Sequence, residues 1–284
     1  MRTIKRIHKA QYNPIDDLIT YSPLPSRSLN HLDPFLFLNH HGPQDYPPEN
    51  NGLPFGPHPH RGMETVTFII DGDIAHKDSS GHESVITAGG VQWMTAGSGL
   101  IHCENSSREF LEHGGKMEIL QLWINLPAKL KMTNPKYTGL QKEQIPEIKI
   151  NGESGNLNLI SGIWDGTRGA FETLTDIFLC SVYAGSNAKI ELPAPRNHTV
   201  FFYVVRGNIK IENTSMEALH LLEFKNDGES VSFETETDCI ILFGHAKPFN
   251  EPIVAYGPFV MNTDEEIDQA YNDYRQGKFG SWVD

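Results

Sequence analysis

Two segments of the chain repeat one another, and this repetition limits the fold more than any other feature. GPHPHRGMETVTFIIDGDI (residues 56–74) aligns without a gap with ELPAPRNHTVFFYVVRGNI (residues 191–209). The alignment places Arg61 on Arg196 and keeps the phase of the apolar residues. Self-similarity of this kind indicates two copies of one structural unit. We therefore expect two domains of the same architecture.

Both segments lie among short apolar runs that are separated by turn-forming residues. Between residues 63 and 126, turn signals that contain glycine repeatedly interrupt these runs. Many short strands with such punctuation are typical of an all-β barrel or sandwich. Residues 127–158 are rich in Pro, Lys and Gln and lack periodicity, which favours a connection between domains. We predict an N-terminal domain over residues 1–135 and a C-terminal domain over residues 136–284.

The end of the chain departs from this pattern and predicts one helix, from Thr263 to Arg275. Thr263 and Glu266 have the spacing of a capping box. Apolar residues then recur at helical spacing on one face, and Gly277 follows as a stop signal. We expect this short helix to pack against a β-domain.

Two pairs of candidate metal ligands stand in strand-like segments of the N-terminal half. His58 and His60 are two residues apart, and so are His102 and Glu104 later in the chain. Residues two apart on a strand point to the same side, so two paired strands can close a four-ligand site. Three imidazoles and one carboxylate suit a first-row transition metal better than calcium or magnesium. Glu64 has the strand parity of the first pair and offers an alternative acidic ligand.

Charge and cysteine content argue against several classes of protein. The 284 residues include 23 Lys and Arg against 36 Asp and Glu, which gives a formal net charge of −13. Such a chain repels the phosphate backbone and anionic lipids, so we expect neither direct nucleic-acid binding nor membrane binding. The three cysteines form no CxxC pair, which favours free thiols in a reducing compartment. No apolar signal segment or membrane span is visible, and we expect a cytoplasmic monomer.

Five blocks of sequence resemble the pirin family. The blocks are LNHLDPFLFLNHHGP (29–43), HPHRGMETVTF (58–68), QWMTAGSGLIHCE (92–104), LQLWINLP (120–127) and EPIVAYGPFVMNTDEEIDQAYNDYRQGKFG (251–280). The His-x-His and Gly-x-x-His segments within them also resemble the two cupin motifs. The resemblance implies a bicupin, an all-β fold of two cupin jelly-roll barrels with a short C-terminal helix.

The resemblance also implies a metal site in the N-terminal barrel. Its ligands would be His58, His60, His102 and Glu104, and its ion one iron(II) per chain. The same ligand types accept other divalent first-row metals. In pirins the acid at the position of Glu64 is not a ligand, so we expect Glu64 to orient an imidazole instead.

No metal is implied for the C-terminal barrel, and the internal repeat agrees with this. Pro193 and Pro195 occupy the positions of the first histidine pair. A weaker downstream match puts Ile240 and Leu242 at the positions of the second ligand pair. None of these four side chains can bind a metal ion.

Pirins have two roles, and the resemblance implies one of them for this chain. Some pirins open flavonols such as quercetin with dioxygen, as quercetin 2,3-dioxygenases. Others bind a protein partner as co-regulators, with the oxidation state of the iron as a switch. We predict the dioxygenase, with Glu104 as the base that removes the 3-hydroxyl proton of the flavonol and Phe55, in a loop over residues 42–57, against the aromatic rings. The alternatives are a redox-sensitive protein partner without flavonol turnover and a metal-bearing scaffold for another substrate.

Overall fold

The computed structural model describes residues 1–150 and 154–282, and strands make up most of both halves. The strands of the first half are β1 (Ile4–Lys9), β2 (Gln11–Tyr12), β3 (Thr20–Leu24), β4 (Phe35–Tyr46), β5 (Phe55–His60), β6 (Met63–Asp71), β7 (Asp73–Asp78), β8 (Glu83–Thr87), β9 (Val91–Thr95), β10 (Leu100–Asn105), β11 (Gly115–Asn125) and β12 (Lys136–Leu140). Those of the second half are β13 (Glu147–Ile150), β14 (Gly155–Ser161), β15 (Ile163–Trp164), β16 (Thr167–Arg168), β17 (Ile177–Ala184), β18 (Lys189–Pro193), β19 (Thr199–Arg206), β20 (Asn208–Ile211), β21 (Thr214–Glu217), β22 (His220–Phe224), β23 (Ser230–Thr235), β24 (Cys239–Ala246), β25 (Val254–Tyr256) and β26 (Phe259–Met261).

Helical structure is short and confined to a few segments. The α-helices are α1 (Arg108–His113) and α2 (Asp264–Arg275), and 3-10 turns occupy Ala128–Leu130 and Lys142–Gln144. Helix α2 has the predicted capping box of Thr263 and Glu266 at its start. Within the described residues, neither helix has the length and apolar character needed to cross a membrane.

Contacts divide the chain into two compact units that alternate along the sequence. Unit 1 contains residues 1–11, 21–35 and 143–248, and unit 2 contains residues 12–20, 36–142 and 249–284. The predicted division is a single boundary between residues 135 and 136. In the structure, residues 1–11 belong to the unit made mainly of residues 143–248, and residues 249–284 belong to the unit made mainly of residues 36–142. Strand β1 belongs to unit 1 because it pairs with β22. Helix α2 belongs to unit 2, where it packs against β25 and β26.

Unit 2 is built from two sheets that share a core. Its larger sheet contains β12-β9-β6-β11-β4 in that order, and its smaller sheet has the order β5-β10-β7-β8. One apolar cluster joins Ile69 and Ile119 of the larger sheet to Ile74 and Ile86 of the smaller one. Strand β6 lies between β9 and β11, and its first seven residues are buried, the polar Glu64, Thr65 and Thr67 among them.

Unit 1 repeats this arrangement with different strands. Its larger sheet has the order β1-β22-β19-β24-β17-β14-β13, and its smaller sheet has the order β18-β23-β20-β21. In its core the ring of Phe202 meets the rings of Phe224, Phe233 and Phe243 edge-on, at centroid distances of 6.0, 5.3 and 6.1 Å. The predicted all-β architecture, with two domains of one design and a C-terminal helix, is confirmed.

The shared strand order corrects one detail of the predicted repeat. Strand β10 pairs with β5 and β7, and its counterpart in unit 1 is β23, which pairs with β18 and β20. Placing Ile240 and Leu242 on the second ligand pair was therefore wrong, because both lie on β24, the counterpart of β11. The match slipped by one strand, because β22 and β23, the counterparts of β9 and β10, both end before Ile240.

The predicted loop over residues 42–57 is also shorter than expected. Strand β4 continues to Tyr46 and β5 begins at Phe55, so the connection spans residues 47–54. Gly42, at φ +85°, lies inside β4, and a Cβ atom there would be 2.3 Å from the Met117 carbonyl oxygen. Here glycine permits close approach of two strands rather than ending one.

We expect Phe202→Ala to destabilise unit 1 by about 3–5 kcal/mol, because it leaves a cavity among packed aromatic rings. Chemical denaturation of the full chain measures the change. Ile163→Ala is the matched control, since Phe202 is 0% exposed and Ile163 is 59% exposed. Equal stability of the two variants would contradict the assignment of Phe202 to the core.

Candidate metal centre

Three of the four predicted ligands lie together on two paired strands. His58 and His60 are on β5, and His102 is on β10, directly opposite His58 in the ladder. The ring centroids of His58 and His102 are 4.4 Å apart, and His60 lies 4.9 Å from each. One candidate ligand atom from each ring falls within 4.8 Å of the other two. The three imidazoles can therefore bind one metal ion.

Backbone carbonyls fix the tautomers of two of these rings. The His58 Nδ1 lies 2.8 Å from the Gly56 carbonyl oxygen, and the His60 Nδ1 lies 3.2 Å from the Pro258 carbonyl oxygen. A carbonyl oxygen only accepts, so each Nδ1 bears the hydrogen and each Nε2 keeps its lone pair. Metal-binding histidines typically donate their other ring N–H in this way.

Buried ring nitrogens without hydrogen bonds also fit a metal ion. Among the described residues, the His60 Nε2 and both ring nitrogens of His102 are buried with no hydrogen-bond partner. Leaving buried polar atoms unpaired is costly, and coordination would satisfy those that face the ion. The residues present are consistent with the implied ligand set of the N-terminal barrel.

Burial keeps these imidazoles in the neutral form that binds metals. Desolvation, with a smaller contribution from His58, lowers the pKa of His60 to about 3. The pKa of His102 is lowered well below its usual value by burial and then by the neighbouring His60 and His58. Neither ring needs to lose a proton before it coordinates at neutral pH.

The carboxylate of Glu104 is buried beside this group but is not part of the three-residue cluster. Its Oε1 accepts hydrogen bonds from the Thr67 hydroxyl, at 3.0 Å, and from the Gln92 amide. Its Oε2 accepts a hydrogen bond from the Gln121 amide at 2.5 Å. A carboxylate offers about four lone-pair positions, so these donors leave room for one more bond. That Glu104 is a ligand stays a prediction.

Aromatic donors orient the two glutamines that hold Glu104. The Tyr137 hydroxyl donates to the Gln92 Oε1 at 3.1 Å, and the Trp123 Nε1 donates to the Gln121 Oε1 at 3.3 Å. Because each amide oxygen is engaged, each amide nitrogen faces Glu104. No local pattern in the sequence could have identified these residues, which come from three different strands.

Glu64 lies on a different strand from the histidine pair. Strand β5 ends at His60, and the chain turns through Gly62, at φ +81°, into β6 of the other sheet. The parity argument for Glu64 as a ligand therefore does not apply. The Glu64 Oε1 accepts a hydrogen bond from Thr95 at 2.7 Å, and burial raises the pKa of the carboxyl despite this bond. That Glu64 orients an imidazole stays a prediction.

Phe55 opens β5 opposite Glu104 in the ladder. Its side chain is half-buried against the core of unit 2, and its ring centroid lies 5.1 Å from that of His41. Contact between Phe55 and a substrate stays a prediction.

A third pair of residues near the site was missed. His76 and Asp78 lie on β7, opposite Glu104 and His102 respectively. The His76 Nε2 is 3.2 Å from the Asp78 Oδ2, and its ring stacks on Tyr137 at 3.8 Å between centroids. The signal was available, since His76 and Asp78 are two residues apart, as the predicted ligand pairs are.

Comparison with known proteins gives a consistent result. The family model described as pirin matches residues 18–124, and that described as the pirin C-terminal cupin domain matches residues 180–280. A pirin-like protein of Solanum lycopersicum is 35% identical over 283 residues, which cover 98% of this chain and 92% of that protein.

Solved structures agree with these matches. A crystal structure of quercetin 2,3-dioxygenase from Acinetobacter baumannii is 37% identical, with a TM-score of 0.93 and full coverage of both chains. A bacterial pirin from Escherichia coli in complex with nickel(II) has a TM-score of 0.68 at 19% identity and covers 86% of this chain and 99% of that one. The predicted bicupin fold is confirmed.

We expect the purified chain to bind about one equivalent of a divalent first-row metal, and His58→Ala to lose most of it. Metal analysis after dialysis measures the content. His220→Ala is the control, because His220 lies in the second barrel and bonds to backbone carbonyls. Two equivalents in the unaltered chain, or equal loss in both variants, would contradict the assignment.

Proposed function

The chain belongs to the pirin family, and from that premise we propose that it is a metal-dependent dioxygenase that opens flavonols such as quercetin. The observation that supports this most is the group formed by His58, His60 and His102, which is largely buried and adjacent to the Glu104 carboxylate. The Acinetobacter baumannii protein, which is similar over its whole length, is named for this activity.

The ion in this proposal is iron(II), held by His58, His60, His102 and Glu104. The nickel(II) in the Escherichia coli pirin supports a divalent first-row metal on this fold. Nitrogen and oxygen ligands of this kind accept several such metals, so the identity of the ion depends on supply as well as on the site. Bound iron would supply Lewis-acid attraction for the flavonol oxygen and electrons for dioxygen.

The protein contributes orientation and a base. Glu104 has one lone-pair position outside its three hydrogen bonds, so it can take the 3-hydroxyl proton of the flavonol when its bond to the ion or one of these hydrogen bonds opens. Gln92 and Gln121 hold the carboxylate in place, so little reorganisation accompanies the transfer. His58 is half-buried, whereas His60 and His102 are buried, so the flavonol would approach from the side of His58. In this proposal Phe55, which is half-buried at the start of β5, would contact an aromatic ring of the flavonol.

The proposed reaction consumes one dioxygen for each flavonol. The deprotonated flavonol reacts with dioxygen, the heterocycle opens and carbon monoxide leaves. Uptake of dioxygen with a flavonol is expected of the dioxygenase. It is not expected of a protein partner or of a scaffold for another substrate. The cytoplasmic location and the monomeric state remain predictions.

We expect Glu104→Gln to keep much of its iron while quercetin cleavage per bound iron falls about a hundredfold or more, the range for loss of a general base. The amide nitrogen of the new side chain would meet the amide of Gln92 or Gln121, so iron and turnover are measured on the same sample. Oxygen uptake with quercetin gives the rate. Glu109→Gln, the same change at an exposed position of α1, is the control.

Two outcomes would overturn parts of this proposal. Turnover at the unaltered rate in iron-replete Glu104→Gln would reject Glu104 as the base and point to Glu64. No oxygen uptake by the iron-loaded, unaltered chain with several flavonols would reject the dioxygenase and favour the protein-partner role.

A further inference from the structure

The C-terminal segment of unit 2 contributes a contact to the candidate metal centre. This segment, residues 254–280, contains β25, β26 and α2, and we call it the clasp. Tyr256 pairs with Phe259 across a tight turn, in which Gly257 has φ +58°. Pro258 follows it in this turn and presents its carbonyl oxygen to the His60 Nδ1 at 3.2 Å. The last part of the chain thus fixes the tautomer of a ligand candidate.

The clasp is anchored to the residues that follow His60. The Val260 N–H donates to the Arg61 carbonyl at 3.0 Å. A Cβ atom on Gly62 would lie 2.0 Å from the Val260 carbonyl oxygen, so only glycine permits this approach. The ammonium of Lys131, which is 1% exposed, donates to the carbonyls of Gly62 and Val260, each at 2.9 Å. Displacement of the clasp would break the hydrogen bond from the buried Lys131 ammonium to the Val260 carbonyl.

Arg61 provides a second anchor, one residue from His60. Its Nη1 donates to the Asp273 Oδ2 of α2 at 2.8 Å, and its Nε donates to the Ser98 carbonyl at 2.8 Å. Its guanidinium lies 4.6 Å from the ring centroid of Phe279. Arg61 is 4% exposed, so loss of Asp273 would leave a buried cation without its charged partner.

The clasp also contacts the strand that bears His102. A Cβ atom on Gly99 would lie 2.6 Å from the Phe279 ring. The Ser79 hydroxyl donates to the Phe279 carbonyl at 2.6 Å and accepts from the Ile101 N–H at 3.0 Å. The clasp therefore packs on the end of β5 and on the start of β10, the two strands that bear the ligand candidates.

We infer that the clasp is a positioning element of the metal centre, and that its docking and metal binding stabilise one another. The Pro258 carbonyl selects the His60 tautomer whose Nε2 is free to coordinate, and a bound ion in turn fixes the ring against that carbonyl. Coupling of two binding events is reciprocal. This inference depends on the metal site proposed above and not on flavonol turnover.

Hydrogen exchange on the unaltered full chain tests the coupling without any substitution. Cobalt(II) serves as the probe metal, and exchange is compared with and without it. We expect the protection of residues 254–280 to rise more than that of β8, which lies in the same unit outside the site. An equal rise in both segments, or none in the clasp, would overturn the inference. Failure of the chain to bind cobalt(II) would overturn the metal centre and the inference with it.

A substitution within the clasp tests the same coupling from the opposite direction. We expect Asp273→Asn to weaken cobalt(II) binding on the order of 10-fold, the lower end for loss of a group that supports a ligand, and to change the visible absorption spectrum of the bound cobalt. Asp268→Asn is the matched control, because it makes the same change of charge at an exposed position of α2.

The result separates positioning from a general loss of stability. Chemical denaturation of the metal-free variants gives their stability, and a changed cobalt spectrum reports the ligand geometry itself. Affinities and spectra equal to those of Asp268→Asn would overturn the inference. If Asp273→Asn does not fold, the hydrogen-exchange experiment on the unaltered chain tests the coupling between the clasp and the metal by itself.

Discussion

The pairing of β5 with β10 is the constraint on which the metal centre depends. His58 stands opposite His102 in this antiparallel ladder, and this register allows their ring centroids to come within 4.4 Å of one another. A slip of one strand by one residue would turn every one of its side chains to the other face of the sheet and separate the imidazoles. Strand β10 also pairs with β7, so the same register brings His76 and Asp78 to the edge of the site.

The hydrogen bonds of Glu104 restrict what this carboxylate can do. With Thr67, Gln92 and Gln121 as donors, one lone-pair position remains for either a metal ion or a proton. To act as both ligand and base, Glu104 must therefore bind the metal ion and the proton one after the other, or one of the three donors must break its hydrogen bond. Thr67 is the donor that can do so most easily, because its hydroxyl rotates while both glutamines are fixed by aromatic partners.

Local patterns in the sequence were enough to predict the strand-rich architecture, the placement of His58 and His60 on one strand and the capping box at Thr263. Each of these features depends on residues two to four apart. The parity argument for Glu64 failed because periodicity does not reveal a strand that ends, and Gly62 ends one. Gln121 and Pro258 could not have been found, since they meet Glu104 and His60 only after the sheets and the clasp have assembled. Such contacts depend on tertiary structure and have no local signature.

The second barrel shows why a ligand pair can be absent while the fold remains. In unit 1, Pro193 stands opposite Ser230, in the ladder that corresponds to the one joining His58 and His102. Both β18 and β5 are edge strands of their sheets, and an edge strand tolerates prolines, because one side of it needs no ladder donors. The sequence of β5 already contains prolines between its histidines. A change between proline and histidine at these positions therefore alters the chemistry of the barrel and leaves its hydrogen-bonded frame nearly unchanged.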